Sequence, residues 1–320
     1  MAENSKIEWT HHTFNPWWGC AKVSPACDNC YAERDANRFT PNSELWGALA
    51  SRREFGDKHW NEPLKWNRKA QAEGVRYRVF CASMADVFDK NAPAGARERL
   101  FELIKATPHL DWLLLTKRIG NATKMLPPDW ADGYSNVWIG ISVVNQEEAN
   151  RDIPKLLALP ARIRWLSMEP LLGPVDLTKI AHTASPGFFG DALEWHHRPH
   201  GNRDDKWPGI DWVVVGGESG PNARPMHPAW ARSLRDQCTA AGVPFLFKQW
   251  GEWIAEGVQM PEPLRKALDH DTRRWVADDA DDNRYTRTAA AVYRVGKKAA
   301  GRLLDGVTHD GYPAMKGGEA

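Results

Sequence analysis

Three cysteines, Cys20, Cys27 and Cys30, lie within eleven residues of one another in the 320-residue chain. Clustered thiolates in a reducing compartment are more typical of metal or redox chemistry than of disulfides. A structural zinc site needs four protein ligands, and His11 or His12 could supply the fourth. A [4Fe–4S] cluster is usually held by four cysteines, so three would leave one iron open to a small-molecule ligand. The residues alone therefore leave three interpretations of the cysteine segment: it binds an iron–sulfur cluster, it binds a zinc ion, or it binds no metal.

The elements that would position these cysteines are predicted by six short apolar runs, each followed by polar residues. Continuous apolarity is typical of strands that are buried on both faces. The starts of the runs lie 25 to 49 residues apart, and one strand with its crossover helix needs roughly 30 residues. The pattern predicts βα units in a parallel sheet or barrel of the α/β class. The runs are Val79–Ala82, Trp112–Leu115, Val137–Ile141, Ile163–Leu166, Trp212–Val215 and Phe245–Phe247.

Helices are predicted in the gaps, over residues 96–107, 147–158 and 228–241. An earlier strand over 13–18 and a helix over 31–39 place the cysteines in a strand-to-helix loop. We expect residues 1–255 to form the barrel, with an insertion, a long loop or lid, at about 178–209. Residues 256–320 are expected to form a small α+β cap. Its predicted elements are strands around 274–276 and 285–288 and a helix over 296–304.

Composition and charge narrow the class of protein. Hydrophobic residues make up 42% and charged residues 26% of the chain, which is ordinary for a globular enzyme and excludes disordered, collagenous and coiled-coil proteins. The formal net charge of +1 gives no evidence for a protein whose whole surface binds nucleic acid or membranes. No apolar stretch is long enough to span a bilayer, and the N-terminus lacks the layout of a signal peptide. These features predict a cytoplasmic protein, in which Cys81 and Cys238 are ordinary buried thiols.

Eight segments, spread over nearly the whole chain, carry a resemblance to a known family: residues 14–20, 27–32, 83–88, 115–118, 167–171, 216–220, 247–251 and 296–305. The chain resembles the phage gene-product 37/68 family, which is similar to a divergent branch of the radical S-adenosylmethionine (SAM) enzymes. One feature departs from the usual radical SAM pattern: six residues separate Cys20 from Cys27 instead of three, and the aromatic Tyr31 follows the last cysteine.

The resemblance implies a partial (β/α)6 TIM-like barrel of parallel strands with a [4Fe–4S] loop at residues 20–30. Reductive cleavage of SAM at this cluster would give a 5'-deoxyadenosyl radical. Catalytic groups of such barrels gather at the C-terminal ends of the strands, so the polar residues after the runs would line one mouth. The residues expected to bind SAM are Asp86, Ser142, Asn145, Glu169, Gly216, Gly217 and Glu218. The cations expected to meet a carboxylate or phosphate of the substrate are Lys117, Arg118, Arg224 and Lys248.

The phage setting of the family implies a DNA or modified-nucleotide substrate in an infected bacterial host. The expected reaction is the radical isomerisation of a modified thymidine during hypermodification of phage DNA, with a reductant such as flavodoxin or ferredoxin. Two alternatives remain. One is a DNA repair lyase that resembles spore photoproduct lyase, and the other is a zinc-stabilised nucleic-acid-binding module without catalysis.

Overall fold

The computed structural model describes residues 3–41, 44–181, 187, 189–194, 209–258, 262–266, 268, 270–278 and 289–314. Two compact units can be distinguished. The first comprises residues 1–141 and 158–164, and the second comprises 142–157 and 165–320.

The first unit carries the cysteine segment and four parallel strands. The strands are β1 (His12–Thr13), β2 (Tyr77–Cys81), β3 (Leu110–Thr116) and β4 (Val137–Ser142), the last residue of which belongs to the second unit. Each pairs in parallel with the next, for example His12 with Val79 and Trp112 with Val137. The helices are α1 (Tyr31–Phe39), α2 (Asp57–Trp60), α3 (Glu62–Glu73), α4 (Ala96–Lys105) and α5 (Ile119–Met125).

The second unit continues the alternation of helices and parallel strands. It contains α6 (Gln146–Leu157), β5 (Ile163–Met168, from Trp165 onward), β8 (Trp212–Gly216), α7 (Pro228–Ala241) and β9 (Phe245–Gln249). β5 pairs in parallel with β8, and β8 pairs in parallel with β9. A short antiparallel pair, β6 (Ile180–Ala181) and β7 (Phe189–Gly190), lies within the predicted insertion.

The last part of the second unit forms a separate antiparallel sheet. β12 (Ala290–Arg294) lies between β10 (Trp253–Ala255) and β11 (Arg274–Val276). Two short helices, α8 (Glu262–Lys266) and α9 (Lys297–Ala300), flank these strands in the chain. The predicted strand at 285–288 and most of the insertion at 178–209 lie outside the described residues.

The α/β class predicted from the apolar runs is confirmed. All six runs are strands of one sheet, and β1 is its seventh strand. Its strands lie in the order β1-β2-β3-β4-β5-β8-β9, an arrangement consistent with a partial TIM-like barrel. Their side chains are buried as continuous apolarity requires, and Trp112, Trp138, Trp165 and Trp212 are at most 2% exposed.

Two predicted elements are shorter than expected. The first strand ends at Thr13 instead of reaching residue 18, because Pro16 has no N–H to donate and Trp18 pairs with Arg53 instead. The last helix ends at Ala300 instead of residue 304, because Gly301 leaves the helical region with φ +68° and ψ −157°.

Candidate functional site

The backbone of the cysteine loop is held by two other segments of the first unit. Cys20 N–H donates to the carbonyl of Leu45 at 3.2 Å, and Gly19 N–H donates to that of Met84 at 2.9 Å. A Cβ at Gly19, whose φ is +117°, would lie 2.5 Å from the Leu45 oxygen, so only glycine fits there. Cys20 is thereby fixed beside the residues that follow β2.

Cys27 and Cys30 lie at the entrance to helix α1. Cys27 ends a 3-10 helix that begins at Pro25 and is capped by the Ser24 side chain, and Cys30 directly precedes α1. Cys27 is buried, whereas Cys20 and Cys30 are half-buried, and all three are free thiols. Cys30 packs against an apolar cluster comprising Ala32, Ala36, Leu45 and Met84.

A buried arginine connects the cysteine loop to the end of β3. Arg118 Nη1 donates to Cys20 Sγ at 3.3 Å and to Asp86 Oδ2 at 3.0 Å, and Nη2 donates to the carbonyl of Ala21 at 2.6 Å. Burial raises the pKa of Cys20 to about 11, although the positive charge of Arg118 opposes this rise. Without a metal this thiol therefore stays protonated near neutral pH, and a bound metal would have to displace the proton.

Asp86, which was predicted to bind SAM, is fully engaged within the protein. Its Oδ1 accepts hydrogen bonds from Phe88 N–H at 3.0 Å and Thr116 Oγ1 at 2.7 Å. Its Oδ2 accepts one from Lys117 N–H at 2.9 Å in addition to that from Arg118. The carboxylate thus joins the loop after β2 to the end of β3.

Lys117 differs from its neighbour Arg118. Its ammonium group has neither a hydrogen bond nor an ion pair with any residue that the structure describes. A half-exposed cation at the C-terminal end of a parallel strand is free to meet an anionic ligand. The substrate-binding role of Lys117 stays a prediction.

Cys20, Cys27 and Cys30 stay the predicted ligands of a metal centre. Three free thiols on a loop and a helix start suit a cluster, whose cysteines bind different irons. In the described part of the chain, no group of three or more His, Cys, Asp or Glu side chains is placed so that it could hold a metal ion. Of the two histidines considered as a fourth zinc ligand, His11 accepts at Nδ1 from Arg78 N–H at 2.8 Å. His12 stacks on Trp66 at 4.4 Å, and neither of its ring nitrogens has a hydrogen-bond partner among the described residues.

Three strand ends of the second unit meet around Glu169. This residue follows β5, and its Oε1 lies 3.0 Å from Nζ of Lys248 in β9. A Cβ at Gly216, the last residue of β8, would lie 2.6 Å from the same oxygen. The missing side chain at Gly216 therefore makes room for the Glu169 carboxylate.

Glu218 and Arg224 form an ion pair of their own. Glu218 Oε1 accepts from Arg224 Nη2 at 2.6 Å, and Oε2 accepts from Nε at 2.9 Å and from the Arg224 backbone N–H at 2.7 Å. The carboxylate is 6% exposed. Gly217 brings the chain so close to Trp250 that a Cβ would lie 1.9 Å from its carbonyl oxygen. These residues build the loop after β8.

Several buried polar atoms of the second unit have no hydrogen-bond partner among the described residues, and two of them are side-chain oxygens at the ends of main-sheet strands. These two are Ser142 Oγ, at the end of β4, and Gln249 Oε1, at the end of β9. Unpartnered buried polar atoms are costly, and a bound ligand with polar groups would satisfy them. Asn145 was also predicted to bind SAM, but its Oδ1 accepts from Glu148 N–H at 2.9 Å and caps α6.

The predicted site residues thus form two groups, one in each unit. Asp86, Lys117 and Arg118 gather with the cysteine loop in the first unit. In the second, Glu169, Gly216 and Lys248 meet at the ends of three strands. Gln249 was not among the predicted site residues, although its position two residues after an apolar run was the available signal.

Comparison with known proteins gives one match by sequence family and three by structure. Residues 4–313 match a family described as a protein of unknown function, DUF5131. No curated protein matches the chain. A cysteine-to-serine mutant of spore photoproduct lyase is similar with 12% identity and a TM-score of 0.41, covering 92% of this chain and 72% of that one. Spore photoproduct lyase complexed with dinucleoside spore photoproduct has 12% identity and a TM-score of 0.43, covering 92% and 71%.

Proposed function

The chain belongs to the DUF5131 family, and we propose that it is a radical SAM enzyme. The observation that supports this best is the set of three free cysteines in residues 20–30, of which Cys20 is held by Leu45 and Arg118 beside the ends of β2 and β3. Cys20, Cys27 and Cys30 would each bind one iron of a [4Fe–4S] cluster. When bound, such a cluster supplies an electron for the cleavage of SAM to a 5'-deoxyadenosyl radical.

The polar groups of SAM are assigned to the second unit. Ser142 Oγ and Gln249 Oε1 offer buried, unsatisfied oxygens, and the Glu169 carboxylate suits an ammonium or a ribose hydroxyl. Four of the residues predicted to bind SAM are assigned an indirect role. The side chains of Asn145 and Glu218 already accept hydrogen bonds from other residues of the chain. The space beside Gly216 and Gly217 is filled by Glu169 and Trp250.

Among the four predicted substrate-binding cations, Lys117 is the one left for an anion of the substrate. Arg118, Arg224 and Lys248 are paired with Asp86, Glu218 and Glu169 and hold those carboxylates in place. An ammonium group that is free and half-buried binds a phosphate or carboxylate as a point charge.

The proposed substrate is a modified thymidine in phage DNA, on which the enzyme carries out a radical isomerisation. A base within a duplex has to be flipped out to reach such a site. The proposal includes a cytoplasmic location in the infected host and a one-electron donor of the flavodoxin or ferredoxin type. No helix in the described part of the chain has the length and apolarity to cross a membrane.

The cluster is tested by anaerobic reconstitution of the full chain with iron and sulfide. We expect about four irons per chain and a brown absorbance, and dithionite should drive the release of 5'-deoxyadenosine from SAM. Cys27→Ala should lose both. Cys238→Ala is the matched control, because Cys238 is a buried thiol of α7 outside the loop, and it should keep both. Colourless protein with one tightly bound zinc would favour the nucleic-acid-binding alternative and overturn the enzyme proposal.

The substrate is tested by mass spectrometry of nucleosides from phage DNA made with and without this gene. Accumulation of an amino-acid-decorated thymidine without its isomerised product supports the isomerase. An unchanged nucleoside profile, together with repair of thymine photoproducts by the pure enzyme, would instead establish a lyase.

A further inference from the structure

Arg118 is a buried cation that directly contacts the sulfur of a proposed cluster ligand. Its side chain is 9% exposed, and the Asp86 carboxylate with which it pairs is 6% exposed. The guanidinium divides its donors among three acceptors: Cys20 Sγ at 3.3 Å, Asp86 Oδ2 at 3.0 Å and the Ala21 carbonyl at 2.6 Å. Every acceptor lies on the cysteine loop or on the loop after β2.

We propose that Arg118 is a positioning residue that fixes Cys20 and raises the reduction potential of the cluster through its charge and its hydrogen bond to sulfur. This inference rests on the function proposed above and adds to it a determinant of the cluster's redox chemistry.

The sign of the effect follows from charge. Reduction adds one electron from the reductant and makes the cluster more negative, without forming or breaking a bond to the protein. A cation with an N–H directed at the sulfur stabilises the more negative state, and burial strengthens this interaction. Asp86 offsets part of the positive charge, but it also orients the guanidinium, as outer-shell partners of metal ligands do.

The planar shape of the arginine side chain allows this set of contacts. A planar guanidinium can donate to a sulfur, a carboxylate and a carbonyl at the same time, because its five N–H groups form a fixed fork. Lysine keeps the charge but places it at a single point, so it can satisfy only part of this arrangement. Arg118→Lys and Arg118→Gln therefore remove different portions of the proposed effect.

The experiment measures the midpoint potential of the reconstituted full-length protein by redox titration followed by electron paramagnetic resonance, with iron content determined in parallel. Arg118→Gln should shift the potential to more negative values by about 59 mV or more, the equivalent of a tenfold change in the one-electron equilibrium. Arg118→Lys should give a smaller shift in the same direction.

Arg76→Gln is the matched control. It breaks another arginine–aspartate pair of the first unit, in which Arg76 lies 2.8 Å from Asp111. Arg76 directly precedes β2, and no contact joins it to the cysteines among the described residues. Its potential should equal that of wild type. Circular dichroism of each variant shows whether the fold is kept.

The outcomes separate this inference from the proposed function. Wild-type protein that takes up no cluster would refute the proposed function and the inference with it. A wild-type cluster whose potential is unchanged in Arg118→Gln refutes the inference alone. If Arg118→Gln does not retain iron, Arg118→Lys decides: a more negative potential supports the inference, and a potential equal to that of wild type overturns it.

Discussion

Side chains of the same type have different roles in this protein, and their nearest partners decide which. Lys117 and Arg118 are adjacent cations at the end of β3, but only Arg118 is paired with a carboxylate among the described residues. His11 and His12 are adjacent imidazoles, and only His11 has a hydrogen-bond partner on its ring in the same part of the chain. The environment of each group therefore has to be considered separately when its chemistry is assigned.

His12 should make the stability of the protein dependent on pH. It is 3% exposed and stacks on Trp66, and burial together with the nearby charges of His11 and Lys69 lowers its pKa to about 4. Between pH 6.5 and 4, His12 is protonated in the unfolded chain and neutral in the folded chain. The contribution of neutral His12 to the free energy of unfolding is therefore complete above pH 6.5 and is lost as the pH falls towards 4.

The measurement is the free energy of unfolding in urea at pH 7 and pH 4, for wild type and for His12→Phe, which keeps an aromatic ring on Trp66. Wild type should lose up to about 3 kcal/mol more than the variant over this interval, from 1.36 kcal/mol for each unit of pKa shift. Equal losses in the two proteins would show that His12 does not carry the effect.

The backbones that follow β8 and β9 approach each other so closely that there is no room for a Cβ atom at Gly217 or Gly251. A Cβ at Gly217 would lie 1.9 Å from the Trp250 carbonyl oxygen, and one at Gly251 would lie 2.0 Å from that of Glu218. Both obstacles are backbone atoms, which cannot rotate away as the end of a side chain can. This close approach positions Glu218 and Lys248 at the strand ends.

Gly217→Ala should therefore be severely destabilising, by about 3 kcal/mol or more, because the backbone of one strand end has to move. Gly173→Ala is the control in the same unit, since its Cβ would make an ordinary contact of 3.6 Å with the Cβ of Asn145. Thermal unfolding of the two variants compares them directly. A melting temperature for Gly217→Ala equal to that of Gly173→Ala would contradict the close approach.

Over the whole chain, the C-terminal residues are bound to the end of the main sheet. Phe247 N–H donates to the His309 carbonyl at 3.0 Å, and Gly311 N–H donates to that of Phe245 at 3.0 Å. Trp212 Nε1 donates to the Gly311 carbonyl at 2.7 Å. These bonds cover β9, which is the last strand of the sheet and would otherwise expose unpaired backbone groups.

Deletion of residues 256–320, the predicted cap, should therefore destabilise the remainder instead of releasing an independent barrel. We expect a chain that ends at residue 255 to aggregate or to lose cooperative unfolding. A chain that ends at residue 314 retains all the C-terminal contacts named above and should unfold like the full protein. A stable, cooperatively folded 1–255 fragment would support the predicted division into barrel and cap, which stays a prediction.

The sequence by itself determined the strands, because a run such as Trp212–Val215 can bury both of its faces only inside a sheet. It also determined helix α7, whose observed bounds Pro228–Ala241 match the predicted ones. The grouping of three thiols at residues 20–30 was equally visible, since it depends on local spacing alone.

Only the tertiary structure decided which predicted site residues are available to a ligand. Arg118 is paired with Asp86, and Lys248 is paired with Glu169, whereas Lys117 stays free of any partner that the structure describes. These pairs join residues that lie 32 and 79 positions apart in the chain. Local sequence patterns carry no information on such distant partners, because the packing of the strand ends brings them together.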